Sequence, residues 1–288
     1  MRWASLSPEA TQWLYALGKG NQLIGRSHGC VEPPSVQKLP LCTRPGVQPR
    51  DWEAYLAPYA PDFGAISTLR PEGLVAVADP LPPDASEDDL KGHLARAVGY
   101  APRYIALRAR NWDALYKEVQ QLGKEVEAPS AAQSWIHKAE QQREKLRSVV
   151  QRLSSPPSVV FLGPGFPLRA VRGWATLLAE EAGLKPFTRD KAFGWETLLQ
   201  QDPEVVVFSV PGGTLQEAGE ALAAWVRHTP VQSLTAFRQK RLYAFKGTAG
   251  LYYPSPALPE AAEALYELAH QPSSRANRHI GRLWAPLL

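Results

Sequence analysis

Thiols, one-sided charge and long apolar runs are all scarce in this 288-residue sequence, and each shortage narrows the possibilities. Its two cysteines, Cys30 and Cys42, sit in no C-x-x-C or similar paired spacing, so a cysteine-bound metal finds no support. Free thiols would suit a cytoplasmic protein and a bridge an exported one, and the spacing leaves both open. Lysine and arginine number 32 against 28 acids, a formal charge of +4, and the basic residues are scattered rather than striped. A nucleic-acid surface is therefore not expected. No apolar run reaches the roughly 18 residues of a membrane span. No basic-then-apolar leader precedes the first extended run, so the chain as it reads is expected in the cytoplasm. A chain already trimmed of its signal would read the same, and would belong in the periplasm or at the cell surface. No G-x-x-x-x-G-K-[ST] is present, and Gly163-Pro164-Gly165 is a poor dinucleotide fingerprint, with a proline inside it and no third glycine.

What is there alternates between extended and helical runs. Residues 2–6 are extended; Ser7 then offers a capping hydroxyl, Pro8 suits the first helical position and Glu9 puts an acid in the first turn. Trp13, Leu14 and Leu17 form an apolar stripe, and Gly18 with Gly20 ends the helix before Leu23 and Ile24. The first turn leaves backbone N–H groups free, although most such helix starts bind nothing. Apolar runs at 74–78 and 103–107 read as further strands. Ser86-Glu87-Asp88-Asp89 and Asn111 read as helix starts between and after them. This alternation predicts a small parallel sheet.

Residues 130–153 contain neither glycine nor proline and are rich in helix formers. They predict one helix spanning ~35 Å. Ser154-Ser155-Pro156-Pro157 stops it, and residues 159–162 open a second strand-rich region. The division expected is an N-terminal α/β lobe over 1–128, a connecting helix over 129–155 and a C-terminal α/β lobe with a basic tail over 156–288. A crossover helix inside one larger domain is the alternative. The tail from Pro272 either packs on its lobe or hangs free.

Several of these segments resemble the cobalamin and iron-siderophore class of ABC-transporter substrate-binding proteins. Ser5-Leu6-Ser7-Pro8-Glu9-Ala10-Thr11 with Ala16-Leu17-Gly18 follows an S-L-x-P-S-A-T opening, and Gly25 with Pro33-Pro34 follows the next G…P-P frame. Gly25-Arg26-Ser27-His28-Gly29-Cys30 is similar to the G-R-S-H-E-C run of a cobalamin-binding-like branch, with Gly29, Val31 and Glu32 departing from it. Farther on, the run from Arg172-Gly173-Trp174 to Ala182-Gly183 can be laid on G-N-W-x-x-E-L-x-x-x-A-G, and Trp195-Glu196 through Asp202-Pro203-Glu204 resembles a W-E…D-P-D run. The proline frame Tyr253-Pro254-Ser255-Pro256 matches, while Lys246, Thr248, Gly250, Tyr253 and Ala257 replace polar or differing residues of the class. The likeness extends to about His270 and is weakest over 45–99.

The resemblance implies an α/β fold of two Rossmann-like lobes joined by one long rigid helix, class III periplasmic-binding-protein-like, with a ligand cleft between the lobes. It implies Ser27, His28 and Cys30 on one wall, and Phe166, Trp174, Trp195, Tyr252 and Tyr253 on the other. Aromatic faces of this kind suit a large planar ligand such as a corrinoid or another metal chelate, which His28 would approach as a neutral imidazole. Siderophores and smaller metabolites are the other ligand classes. A permease partner would be met by acids, Glu196 on the second lobe and Glu87 or Asp88 on the first, each otherwise a solvated helix-start acid. A monomer without required cofactor or bound structural metal is expected. Two other functions are open to the sequence: a cytoplasmic metabolite-binding or sensing protein without a transporter, and a hydrolase using His28 and Cys30. The second lacks any identifiable oxyanion hole or orienting group.

Overall fold

The computed structural model describes residues 1–171, 173–187, 192–227 and 229–287, so Arg172 of the tryptophan motif lies outside the described residues. Two compact units emerge: Met1–His137 with Tyr253–Pro256, and Lys138–Tyr252 with Ala257–Leu288.

The first unit is a four-stranded parallel sheet of β1 (Trp3–Ser5), β2 (Leu23–Gly25), β3 (Gly73–Val77) and β4 (Arg103–Leu107), in the order β2-β1-β3-β4. Every residue of β1 and β3 is buried, as strands covered on both faces must be. The helices are α1 (Pro8–Ala16), short α2 (Glu53–Leu56), α3 (Phe63–Leu69), α4 (Glu87–Val98) and α5 (Trp112–Glu125). Their starts follow the sequence signals. The Ser7 hydroxyl accepts from Ala10 N–H, Ser86 and Asp89 form a capping box, and Asn111 accepts from Ala114 N–H.

Helix α6 (Pro129–Val150) follows, 22 residues long and about 33 Å at the usual rise. The expected divisions at 128 and 155 followed sequence punctuation, whereas compactness divides the chain within α6, at His137 and Lys138.

The second unit carries β5 (Ser158–Leu162), α7 (Trp174–Glu181), β6 (Lys185–Pro186), α8 (Trp195–Gln201), β7 (Val205–Ser209), α9 (Leu215–Arg227), short α10 (Thr235–Arg238), β8 (Leu242–Phe245), α11 (Leu258–His270) and β9 (Trp284–Pro286). The sheet order is β6-β5-β7-β8-β9, parallel except for β9, which runs antiparallel to β8. The basic tail is thus part of the fold. Buried Glu267 of α11 accepts from the Arg278 N–H (2.9 Å), the His279 N–H (3.0 Å) and the Trp284 indole N–H (3.3 Å), which seats the tail beside the sheet.

Tyr253–Pro256 interrupts this second unit and packs with the first. The reason is local. The indole N–H of Trp13 donates to the Pro254 carbonyl at 3.0 Å and that of Trp135 to the Pro256 carbonyl at 3.1 Å. Proline has no N–H of its own, so carbonyls are what this strap offers, and the two indoles that take them meet edge to face at 4.6 Å.

Candidate ligand-binding site

In open parallel sheets, ligands collect beyond the C-terminal strand ends where successive crossovers leave in opposite directions. The strand orders put that point at β1/β3 in the first unit and at β5/β7 in the second. In the first unit the edge is built by the segments after β1 and β3 and by the turn after β2.

The turn after β2 is held by Arg26. Arg26 Nη1 donates to the carbonyls of Ser27 (3.1 Å), His28 (3.3 Å) and Cys30 (3.2 Å), and Nη2 to that of Gln37 (3.2 Å). One planar guanidinium therefore fixes the whole turn. Beneath it, Cys30 Sγ lies 2.9 Å from Thr11 Oγ1 and 3.2 Å from Ser27 Oγ, and Ser5 Oγ is 2.6 Å from Thr11 Oγ1. Ser27 and Cys30 are buried and shape the turn from inside, so neither presents the wall surface expected of it. Burial pushes the Cys30 thiol up, away from thiolate.

His28 is half-buried and turned toward Thr43, whose hydroxyl lies 2.8 Å from Nδ1 and accepts from the His28 backbone N–H at 2.9 Å. This fixes the ring by Thr43, not by Cys30, and the His/Cys pairing that a hydrolase would need is not formed. Burial, then the Arg26 charge, lowers the imidazole pKa, so the ring is neutral near neutral pH. The Tyr59 ring stands edge-on to it, centroids 4.7 Å apart. Tyr59 lies in the stretch where the family likeness was weakest, and an aromatic between two prolines carried no other signal.

Tyr253 was expected on the opposite wall but belongs to the first unit, brought there by the tryptophan-held strap. Its phenol is pushed far up by burial first, then by the nearby acids Asp79 and Glu9, with Arg110 opposing. Asp79, just beyond β3, pairs with Arg110 at 2.6 Å.

In the second unit, Tyr252 donates its hydroxyl to the Ser209 carbonyl at 2.8 Å, at the end of β7, and the Ser209 hydroxyl is buried without a partner among the described residues. A side chain at Gly163 would come within 3.1 Å of the Tyr252 oxygen, so glycine leaves room for that ring. Phe166, in the loop after β5, is 70% exposed. Trp174 is fully buried among the core side chains at the start of α7 and gives a ligand no accessible surface, against the expectation. Trp195 stacks on Trp225 at 5.3 Å and packs on the core with one part exposed.

Of the acids assigned to docking, Glu87 is tied to Arg108 Nε at 2.8 Å, and Arg108 also donates to the Tyr55 carbonyl. Asp88 is almost wholly exposed, 3.8 Å from Lys91, and Glu196 is exposed in the first turn of α8. Among the described residues no group of three His, Cys, Asp or Glu side chains could hold a metal ion, and no helix is long and apolar enough to cross a membrane.

A family model described as periplasmic binding protein matches residues 4–249. No curated protein matches the sequence. Among solved structures, the chain is similar to a periplasmic heme-binding protein from Pseudomonas aeruginosa, with a TM-score of 0.73 at 22% identity over 95% of this chain and 94% of that one. It is similar to the periplasmic heme-binding protein RhuT from Roseiflexus sp. RS-1, at 0.70 and 21% identity over 93% and 99%. It is also similar to the periplasmic vitamin B12 binding protein BtuF of Vibrio cholerae, at 0.68 and 19% identity over 93% and 96%. At these identities the structural likeness is one of fold.

Proposed function

The chain belongs to the periplasmic binding protein family, and from that premise we propose that it is the substrate-binding component of an ABC importer whose ligand is a metal tetrapyrrole, haem ahead of a corrinoid. The observation that carries this reading is the pair His28 and Tyr59 on the Arg26-held turn. A neutral imidazole and a phenol stand side by side, and both are ligands that iron accepts. The half-buried Tyr253, in the same unit as this pair, adds flat aromatic surface of the kind such a ring stacks on. The heme-binding proteins among its structural relatives support the same ligand class. The corrinoid reading draws on the Gly25-Arg26-Ser27-His28 run.

Glu196 and Asp88 are the exposed acids we assign to the permease, with Glu87 engaged by Arg108. Such a protein works outside the cytoplasmic membrane. The test is an absorbance titration with haemin of wild type, His28→Ala and Tyr59→Phe. Saturable binding with a shifted Soret band, changed in position by at least one substitution, supports the reading. Binding with a spectrum identical in all three removes iron ligation by this pair.

A further inference from the structure

His28 and the segment carrying Tyr59 are joined through Thr43. On one side the Cys42 N–H donates to the Arg26 carbonyl at 2.7 Å, just before His28. On the other, residues 42–44 are clamped to 60–62. The Arg44 N–H donates to the Ala60 carbonyl and the Asp62 N–H to the Cys42 carbonyl, each at 2.9 Å, around an antiparallel bridge between Thr43 and Pro61. Thr43 is 1% exposed, and its β-branched side chain, stiff at χ1, points where this clamped main chain sends it.

A hydroxyl has one hydrogen to give and two lone pairs to accept with. The Thr43 oxygen accepts from the His28 backbone N–H at 2.9 Å, and the other polar atom it meets among the described residues is His28 Nδ1 at 2.8 Å. Were the ring hydrogen on Nδ1, the Thr43 oxygen would accept twice and its own hydrogen would be buried without an acceptor, which is costly. With the Thr43 hydrogen given to Nδ1, every group of the contact is matched, and the ring hydrogen lies on Nε2.

We propose that Thr43 is a positioning residue that holds His28 as the Nε2–H tautomer, so that His28 meets the ligand as a hydrogen-bond donor. What this donor serves rests on the tetrapyrrole reading above. A ring nitrogen that bears hydrogen offers no lone pair to iron, so of the pair it is the Tyr59 oxygen that ligates, while His28 steadies the ligand by its hydrogen bond. Thr43 acts only through His28.

Two measurements test this. In the ligand-free, isotope-labelled full chain at about pH 8, where an imidazole is neutral, a proton–nitrogen correlation spectrum shows which ring nitrogen carries hydrogen, the His28 signals being those lost in His28→Ala. A protonated Nε2 and a bare Nδ1 are expected; hydrogen on Nδ1 overturns the proposal without any ligand. Haemin titrations then compare wild type, Thr43→Val, Thr43→Ser, His28→Ala, Tyr59→Phe and the double variant of Thr43→Val with His28→Ala, all matched by circular dichroism. Thr43→Val keeps the shape without the hydroxyl and should bind about tenfold more weakly. Thr43→Ser should bind as wild type does, and the double variant as His28→Ala does alone. The Soret band should hold its wild-type position in His28→Ala and move in Tyr59→Phe. Equal affinity in Thr43→Val, a Thr43→Val loss undiminished in the His28→Ala background, or a band that moves in His28→Ala overturns the proposal and leaves the tetrapyrrole reading standing. Failure of the folded wild type to bind haemin overturns that reading, and the nitrogen spectrum still decides the tautomer.

Discussion

A methyl group on Gly29 would stand 3.1 Å from the Tyr59 hydroxyl and 3.2 Å from Pro8 Cγ. The motif branch that this turn resembles carries glutamate there, and the departure to glycine makes space for the phenol beside His28. Gly29→Ala must push Tyr59 or Pro8 aside by a few tenths of an ångström. Overpacking of this kind costs about 1–3 kcal/mol, and haemin affinity is expected to fall about tenfold or more. Titration of Gly29→Ala against wild type checks this; equal affinity would separate Tyr59 from the ligand.

The strap makes a stability prediction. Trp13→Phe and Trp135→Phe keep an aromatic ring but remove the donors to Pro254 and Pro256. Each should lower the unfolding free energy by about 1–3 kcal/mol, the cost of a buried carbonyl left unmatched. Because the two rings touch, the double variant should depart from the sum of the singles. Urea unfolding of the three variants measures both effects.

Glu9 also links stability to pH. Its folded pKa, about 7, lies above its unfolded value near 4.5. Its contribution is therefore fully present below pH 4.5 and is lost as pH rises through 7. Replacing it by glutamine removes the charge that must be buried at high pH, so Glu9→Gln should be more stable than wild type at pH 8, by about 3 kcal/mol at most. The advantage should shrink toward pH 4.5. Thermal melts of both proteins across this range give the comparison, and parallel curves would refute the shift.

At the other end, Glu267 collects three donors from the tail, two of them backbone N–H groups. Glu267→Ala leaves them buried and unmatched, and should cost about 3 kcal/mol or more. It should also expose residues 272–287 to trypsin at Arg275, Arg278 and Arg282. Limited proteolysis followed by mass measurement reads this directly.

The exposed acids should separate binding from delivery. Glu196→Ala and Asp88→Ala are expected to leave haemin affinity unchanged and to lower uptake through the cognate importer in reconstituted vesicles.

Strands, caps and the long helix were legible because each is a local matter. Ser7, Ser86 and Asn111 cap the helices their sequence contexts announce, and the apolar runs at 74–78 and 103–107 lie in the sheet. The placement of Tyr253 was not legible, since it depends on indole donors on Trp13 and Trp135, more than a hundred residues away in sequence. Trp174 looked like a ligand contact by family position, yet burial is set by what packs around it, and it is fully covered. Glu9 read as a dipole acid, because nothing in a single sequence reveals that a first-turn side chain is buried. Tyr59 was illegible because its place beside His28 depends on space left by Gly29, thirty residues earlier.

The most direct test of the central claim is a parallel titration of the folded protein with haemin and with cyanocobalamin, followed by absorbance for the first and by tryptophan fluorescence and calorimetry for both. Saturable one-to-one binding of haemin at micromolar affinity or better, tighter than cyanocobalamin and weakened by His28→Ala or Tyr59→Phe, is the result expected. Binding of neither by a folded chain would contradict the tetrapyrrole assignment and leave only the family and the fold.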